Sequence, residues 1–219
     1  MAGSCKKVNC PACGAPAENV NRFAAMAVCE YCGAGFNFDD DTINAMGKMA
    51  IMVESSSPLY LGATGTIKER RFTIAGRLRY RYPDGFWDEW CLNFEDSQAP
   101  GWLSESEGEF SLRKEVEKAD NIPAFNNINT GDHFIINQNR VSVDEKNNAS
   151  LEGAEGSIPF VISKDTTFKY IEASAGEITI TIEYAEDGPE VYIGQWVDES
   201  DIILDNPREE YDEDGWFDA

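Results

Sequence analysis

Arg71-Phe72-Thr73-Ile74-Ala75-Gly76-Arg77-Leu78-Arg79-Tyr80-Arg81-Tyr82 alternates its side chains from end to end. Phe72, Ile74, Leu78, Tyr80 and Tyr82 hold one parity; Arg71, Thr73, Arg77, Arg79 and Arg81 hold the other. Successive strand residues point to opposite faces, so the run predicts a half-buried strand with its arginines in solvent, and Gly76 gives room for a bulge. Pro83-Asp84-Gly85 reads as a turn. Phe86, Trp90, Leu92 and Phe94 resume the alternation beyond it, which predicts an antiparallel pair. Across that pair Glu89 or Glu95 is expected on the arginine face, offsetting its charge.

The pattern recurs downstream. Ile178, Ile180, Ile182 and Tyr184 alternate with Thr179, Thr181 and Glu183. Residues 191–197 follow the turn Glu186-Asp187-Gly188-Pro189, and residues 133–136, 140–143 and 168–171 are shorter strand candidates. Strands at this spacing predict a mainly β chain, with two compact antiparallel β lobes, barrel- or sandwich-like, over residues 58–120 and 121–204. Residues 41–57 read differently. Ile43, Ala45, Met46, Met49, Ala50 and Val53 stand at spacings of three and four, which predicts a short amphipathic helix or a linker, closed by Ser55-Ser56-Ser57-Pro58.

Residues 1–40 carry five of the six cysteines. Cys10-Pro11-Ala12-Cys13-Gly14 and Cys29-Glu30-Tyr31-Cys32-Gly33 are separated by fifteen residues, a zinc-ribbon spacing. Two residues between paired cysteines let both thiolates reach one tetrahedral ion, and the following glycine permits the positive φ that such a knuckle needs. Four thiolates close the coordination sphere, so Cys10, Cys13, Cys29 and Cys32 predict one structural zinc and no catalytic metal. Cys5 is read as a free thiol and Cys91 as a small strand side chain. His133, the only histidine, has no nucleophile motif near it, and the chain carries no phosphate-cradling loop and no G-x-S-x-G elbow. An enzyme, if there is one, would draw on Asp88, Glu89 and Glu105 as acid–base groups.

Eighteen Lys and Arg stand against forty Asp and Glu, a formal net charge of -22. That field repels phosphate backbones and anionic head groups, so nucleic acid is not expected as a partner, despite the basic, aromatic stretch from Lys68 to Trp90. No run of residues is apolar for long enough to insert in a bilayer, and the first residues lead into no signal-peptide core. Together with a metal-type cysteine pattern this predicts a cytoplasmic protein. The acidic tail, residues 205–219, ends in a stretch combining carboxylates with Tyr211, Trp216 and Phe217. Acidic segments with aromatic anchors order on basic, apolar-lined grooves. The tail is therefore expected to dock on a protein partner, or in cis on Arg77, Arg79 and Arg81 with Trp87 and Trp102 nearby.

Several stretches together resemble a bacterial family, domain of unknown function 4178. They are Gly62-Ala63-Thr64-Gly65-Thr66-Ile67, Phe72-Thr73-Ile74-Ala75-Gly76-Arg77-Leu78-Arg79-Tyr80, Trp87-Asp88-Glu89-Trp90-Cys91-Leu92, Trp102-Leu103-Ser104-Glu105, Glu155-Gly156-Ser157-Ile158-Pro159 and Tyr192-Ile193-Gly194. The resemblance implies no catalytic residues. It implies a non-catalytic accessory protein, an adaptor in envelope or membrane stress whose partner is a membrane-stress protein.

Overall fold

The computed structural model describes residues 6–39, 42–53, 56–185 and 188–208. The fold is mainly β, with no α-helix among the described residues. The N-terminal part holds β1 (Lys6–Asn9), β2 (Pro16–Val20), β3 (Met26–Val28), β4 (Ala34–Asp39) and β5 (Thr42–Lys48). Next come β6 (Thr64–Ile67), β7 (Arg70–Tyr82), β8 (Gly85–Phe94), β9 (Gly101–Ser106) and β10 (Glu109–Glu115). The rest supplies β11 (His133–Ile136), β12 (Asn139–Ile158), β13 (Thr167–Ala175), β14 (Ile178–Ala185), β15 (Gly188–Val197) and β16 (Ile202–Leu204).

β1 and β2 pair with each other, and the remaining strands form one large antiparallel sheet. Within it, β7-β8-β9-β10-β15-β14-β13-β12 run side by side, and β12 pairs back onto β7. Those strands close into a ring. Closure removes the open edges that an isolated sheet leaves for aggregation.

The bulge at Gly76 decides what each face carries. β7 pairs Ile74 with Leu92 but Gly76 with Cys91, so one extra residue sits in β7 between them. A single inserted residue transfers every later side chain to the other face. Phe72 and Ile74 therefore share a face with Trp90, Leu92 and Phe94, whereas Leu78 and Tyr80 share the opposite face with Trp87 and Cys91. The shared parity of the sequence is split between two cores. The same register, fixed by Tyr82 opposite Gly85, sets Asp88 and not Glu89 across from Arg79.

Contacts across the ring identify its inside. Trp87 on β8 lies 5.1 Å from Tyr170 on β13, centroid to centroid, and Arg113 on β10 reaches Glu172 on β13 at 3.1 Å. Each pair is three strands apart, about 14 Å in a flat sheet with strands about 4.8 Å apart, so these side chains meet only by pointing inward. The inner apolar cluster includes Leu78, Tyr80, Trp87, Trp102, Phe168 and Tyr170. Outside, Phe72, Trp90, Leu92 and Leu103 are covered by Leu59, Ala63 and Ile67, and Ile171, Ile180, Ile182 and Val191 by Ile128 and Ile136. One outer core is built mostly from residues 59–112 with Val197, Ile202 and Leu204, the other mostly from residues 122–193, and the β7–β12 and β10–β15 pairings join the two halves of the ring. At the first seam a β-carbon on Gly76 would collide with the Ser157 carbonyl, which is why the bulge falls on glycine.

β12 continues past this seam. Ser157 and Ile158 pair with Ala27 and Met26 of β3, and β4 and β5 extend the sheet beyond it. Met26, fully buried, and Met49 join the inner cluster, and the Asn21 side chain donates to Asn93 at 2.7 Å. Thr42–Lys48 is a strand, where the spacing of three and four predicts a helix. β4 offers a ladder for its backbone, and Gly47 sits at φ +92, outside the helical region. Tertiary pairing overrides a weak local period.

Candidate functional site: the cysteine cluster and the ring interior

The Sγ atoms of Cys10, Cys13, Cys29 and Cys32 all lie within 4.8 Å of one another. Cys10–Cys32 is 3.7 Å and Cys13–Cys29 is 3.8 Å. Those separations are far longer than a disulfide, and a tetrahedral thiolate site with metal–sulfur bonds of about 2.3 Å has edges of about 3.8 Å. Both knuckles are built alike. The Gly14 N–H donates to the Cys10 carbonyl and the Gly33 N–H to Cys29, each at 2.8 Å, with φ +77 and +70 at the two glycines. Burial pushes the Cys10 thiol up, but the backbone N–H groups of Cys13 and Ala12 together with the Cys13 and Cys29 thiols bring it down to about 7. At Cys13 the Ala15 N–H is outweighed by the neighbouring thiols, which push it up. Donor set, spacing and geometry fit a metal ion.

The expected arginine face is in solvent only at its ends, Arg71 and Arg81. Arg77 and Arg79 are buried, and both bind Asp88 at 2.7 and 2.8 Å, with Asp88 itself 2% exposed. Arg79 also donates to the Val53 carbonyl and lies over Phe86. Arg81 is exposed and paired with Glu152 at 2.5 Å. Trp87 and Trp102 are both buried in the ring interior. Tyr211, Trp216 and Phe217 lie outside the described residues. Residues leading to them are held in place: β16 pairs with β6, Arg71 grips Asp205 through two hydrogen bonds of 2.8 Å, and Tyr60 donates to the Asn206 carbonyl.

Asp88, Glu89 and Glu105 do not converge. Asp88 and Glu105 lie on the outer side, cross-strand neighbours, while Glu89 points inward. Asp88 is neutralised by its two arginines, and Glu105 accepts from Ser57 at 2.7 Å and Trp90 Nε1 at 2.8 Å. Burial raises Glu105 above the usual carboxylate range against those two hydrogen bonds. Cys91 faces inward, fully buried, its thiol pushed up to about 12. His133 is exposed on β11.

The ring interior contains a charged group that no sequence motif singles out. Arg113 bonds Glu89 at 3.4 Å and Glu172 at 3.1 Å, ringed by Ser104, Ser111, Thr179 and Thr181, all buried. Trp87 Nε1 donates to Glu89 at 3.1 Å, and Ser111 shares a 2.7 Å bond with Thr179. On the neighbouring wall stand Glu183, Tyr80 and Tyr192, lining a cavity of 1460 Å³ that runs outward past Phe94 and Pro100. Burial, then Glu89 and Glu190, raise Glu183 from 4.5 to about 8, with Arg113 opposing.

Because its folded value lies above the ordinary one, the folded chain keeps a proton at Glu183 that the unfolded chain has released between 4.5 and about 8. This contribution to stability is complete below that window and is lost as pH rises through it. A melting series from about pH 5 to about 8.5 is expected to fall more steeply for the wild type than for Glu183→Gln. Parallel curves would remove Glu183 as the cause.

Residues 60–199 match the model of a family described as Domain of unknown function (DUF4178). All the ring strands lie within that span. Comparisons with curated proteins and with solved structures return no match. No helix of the described residues is long and apolar enough to cross a membrane.

Proposed function

The chain belongs to the DUF4178 family, and on that footing we propose that it is a non-catalytic cytoplasmic adaptor whose ring is stiffened by a zinc-bound ribbon and whose tail docks a protein partner. Zinc is the ion that best suits four thiolates in a closed tetrahedral set, and reduced thiols suit the cytoplasm. A non-catalytic role accords with carboxylates that are already paired or hydrogen-bonded on opposite faces. Binding to nucleic acid is disfavoured by the net charge of -22 and by the burial of Arg77 and Arg79. A membrane-stress protein is the partner class that the family resemblance implies.

One observation carries the docking reading. Arg77 and Arg79 are consumed by Asp88, which leaves Arg81 alone of the three for the tail to meet in cis. This favours another molecule as the docking surface for the carboxylates and aromatics of residues 209–217, and β16 with Asp205 anchors the chain just before them. Deleting residues 207–219 is expected to leave metal content and melting temperature unchanged while abolishing partner recovery from native cells. Recovery that the truncation does not diminish would reduce the tail to a solubilising segment.

A further inference from the structure

On one wall of the ring cavity the carboxylates outnumber the cation among them, Arg113. The Arg113 guanidinium is already engaged by Glu89 and Glu172, so little of its donor fork remains for an anion. The Glu183 carboxylate, on β14, makes no ion pair or hydrogen bond among the described residues. Tyr80, 5% exposed, lines the same cavity with a hydroxyl that has no hydrogen-bond partner among the described residues. That hydroxyl opens on the cavity, where water or a ligand group completes its bonding. Tyr80, Trp102, Phe168 and Tyr192 supply aromatic wall around it.

The geometry points to a binding site for a small organic cation, a primary ammonium on an apolar stem, with its N–H groups on Glu183 and the Tyr80 oxygen and its stem along the aromatic wall. This goes beyond an adaptor role, since it needs no protein partner. The chemistry is selective. Aromatic faces attract a desolvated cation, and a carboxylate supplies the full opposite charge. An anion at Glu183 would instead meet Glu89 and Glu172, and of the three cations lining the cavity Arg113 is already paired with those two, Arg70 is paired with Asp96, and Lys114 stands on the opposite parity of β10 from Arg113. Glu183 is faced by Glu89 on β8, Arg113 on β10, Glu172 on β13 and Glu190 on β15, with Tyr80 and Tyr192 beside it and Tyr170 opposite on β13. Among these only Arg113 is cationic, so an ammonium favours the ionised form of Glu183, and binding releases its proton.

Titration calorimetry of the full chain with phenethylamine, 2-phenylethanol and phenylacetate separates charge from shape. The amine is expected to bind at least about tenfold more tightly than the alcohol or the carboxylate. Its affinity should rise from about pH 6 to about 8.5, where the probe itself stays protonated and Glu183 does not. Glu183→Gln keeps the shape of the neutral acid and is expected to lose at least about tenfold of amine affinity together with the pH slope. Tyr80→Phe removes one oxygen and gives a second reading, a several-fold loss. Phenylacetate binding as tightly as the amine would overturn the proposal. So would an absence of amine binding in the millimolar range, or unchanged amine affinity in both variants.

Discussion

Cys29→Ser is expected to release the metal and to lower the melting temperature of the entire chain, not only of residues 6–39. Cys29 is a buried ligand, 3% exposed, and its knuckle fixes the turn between β3 and β4 through the Gly33 N–H and the Ala34 carbonyl. In small zinc modules metal binding supplies most of the folding free energy, on the order of 10 kcal/mol or more. Read from sequence alone, that loss would stop at the ribbon. The structure couples it to the ring, because β3 pairs with the end of β12 and Met26 fills the inner cluster. Loss of β3 would strip the cover from Ile158 and from the Gly76–Ser157 seam. Elemental analysis with thermal denaturation checks both parts. One equivalent of metal retained by the variant would refute the ligand assignment, and an unchanged ring transition would refute the coupling.

Asp88→Asn is expected to destabilise the fold by about 3–5 kcal/mol, the range found when one partner of a buried ion pair is removed. One carboxylate here serves two guanidiniums, with side-chain exposures of 7%, 3% and 3% for Arg77, Arg79 and Asp88. An amide leaves both cations buried without a counter-charge. Glu155 lies 3.8 Å from Arg77 but is itself partly exposed, so it offsets little. For a chain of this size the loss corresponds to roughly 6–20 °C in melting temperature. Asp96→Asn is the control: Arg70 and Asp96 sit at 39% and 59% side-chain exposure, where water already screens the pair. Urea denaturation of both variants should separate them widely. Equal midpoints would show that Asp88 is not what holds the two arginines inside.

Asp88, Glu89 and Glu105 stay apart for a reason that lies in register. Asp88, Glu89 and Glu105 look like neighbours in a list of strand residues. Consecutive strand positions nevertheless face opposite ways, and the Tyr82–Gly85 hairpin sends Asp88 outward to the arginines and Glu89 inward to Arg113. Thr179, Thr181 and Glu183 are a parallel case. Beside Ile178, Ile180 and Ile182 they read as the wet face of a half-buried strand. In the fold Thr179 and Thr181 are buried and Glu183 lines the cavity, because that face points into the ring.

The sequence by itself determined what depends on spacing within a short stretch of chain. Two Cys-x-x-Cys-Gly knuckles specify a four-thiolate site because ligand reach is local, and period-two alternation specifies strands because the pleat is local. Only the tertiary structure decided which face of each strand meets what. Alternation reports that Leu78 and Arg79 point apart; it carries no information about whether either side meets water. Ring closure, made by pairings such as Gly76 with Gly156 at long sequence separation, buries both faces of β7 and β14. It turned the arginine stripe into a buried ion cluster, held Thr42–Lys48 as a strand on β4, and brought Glu89, Arg113, Glu172 and Glu183 into one interior.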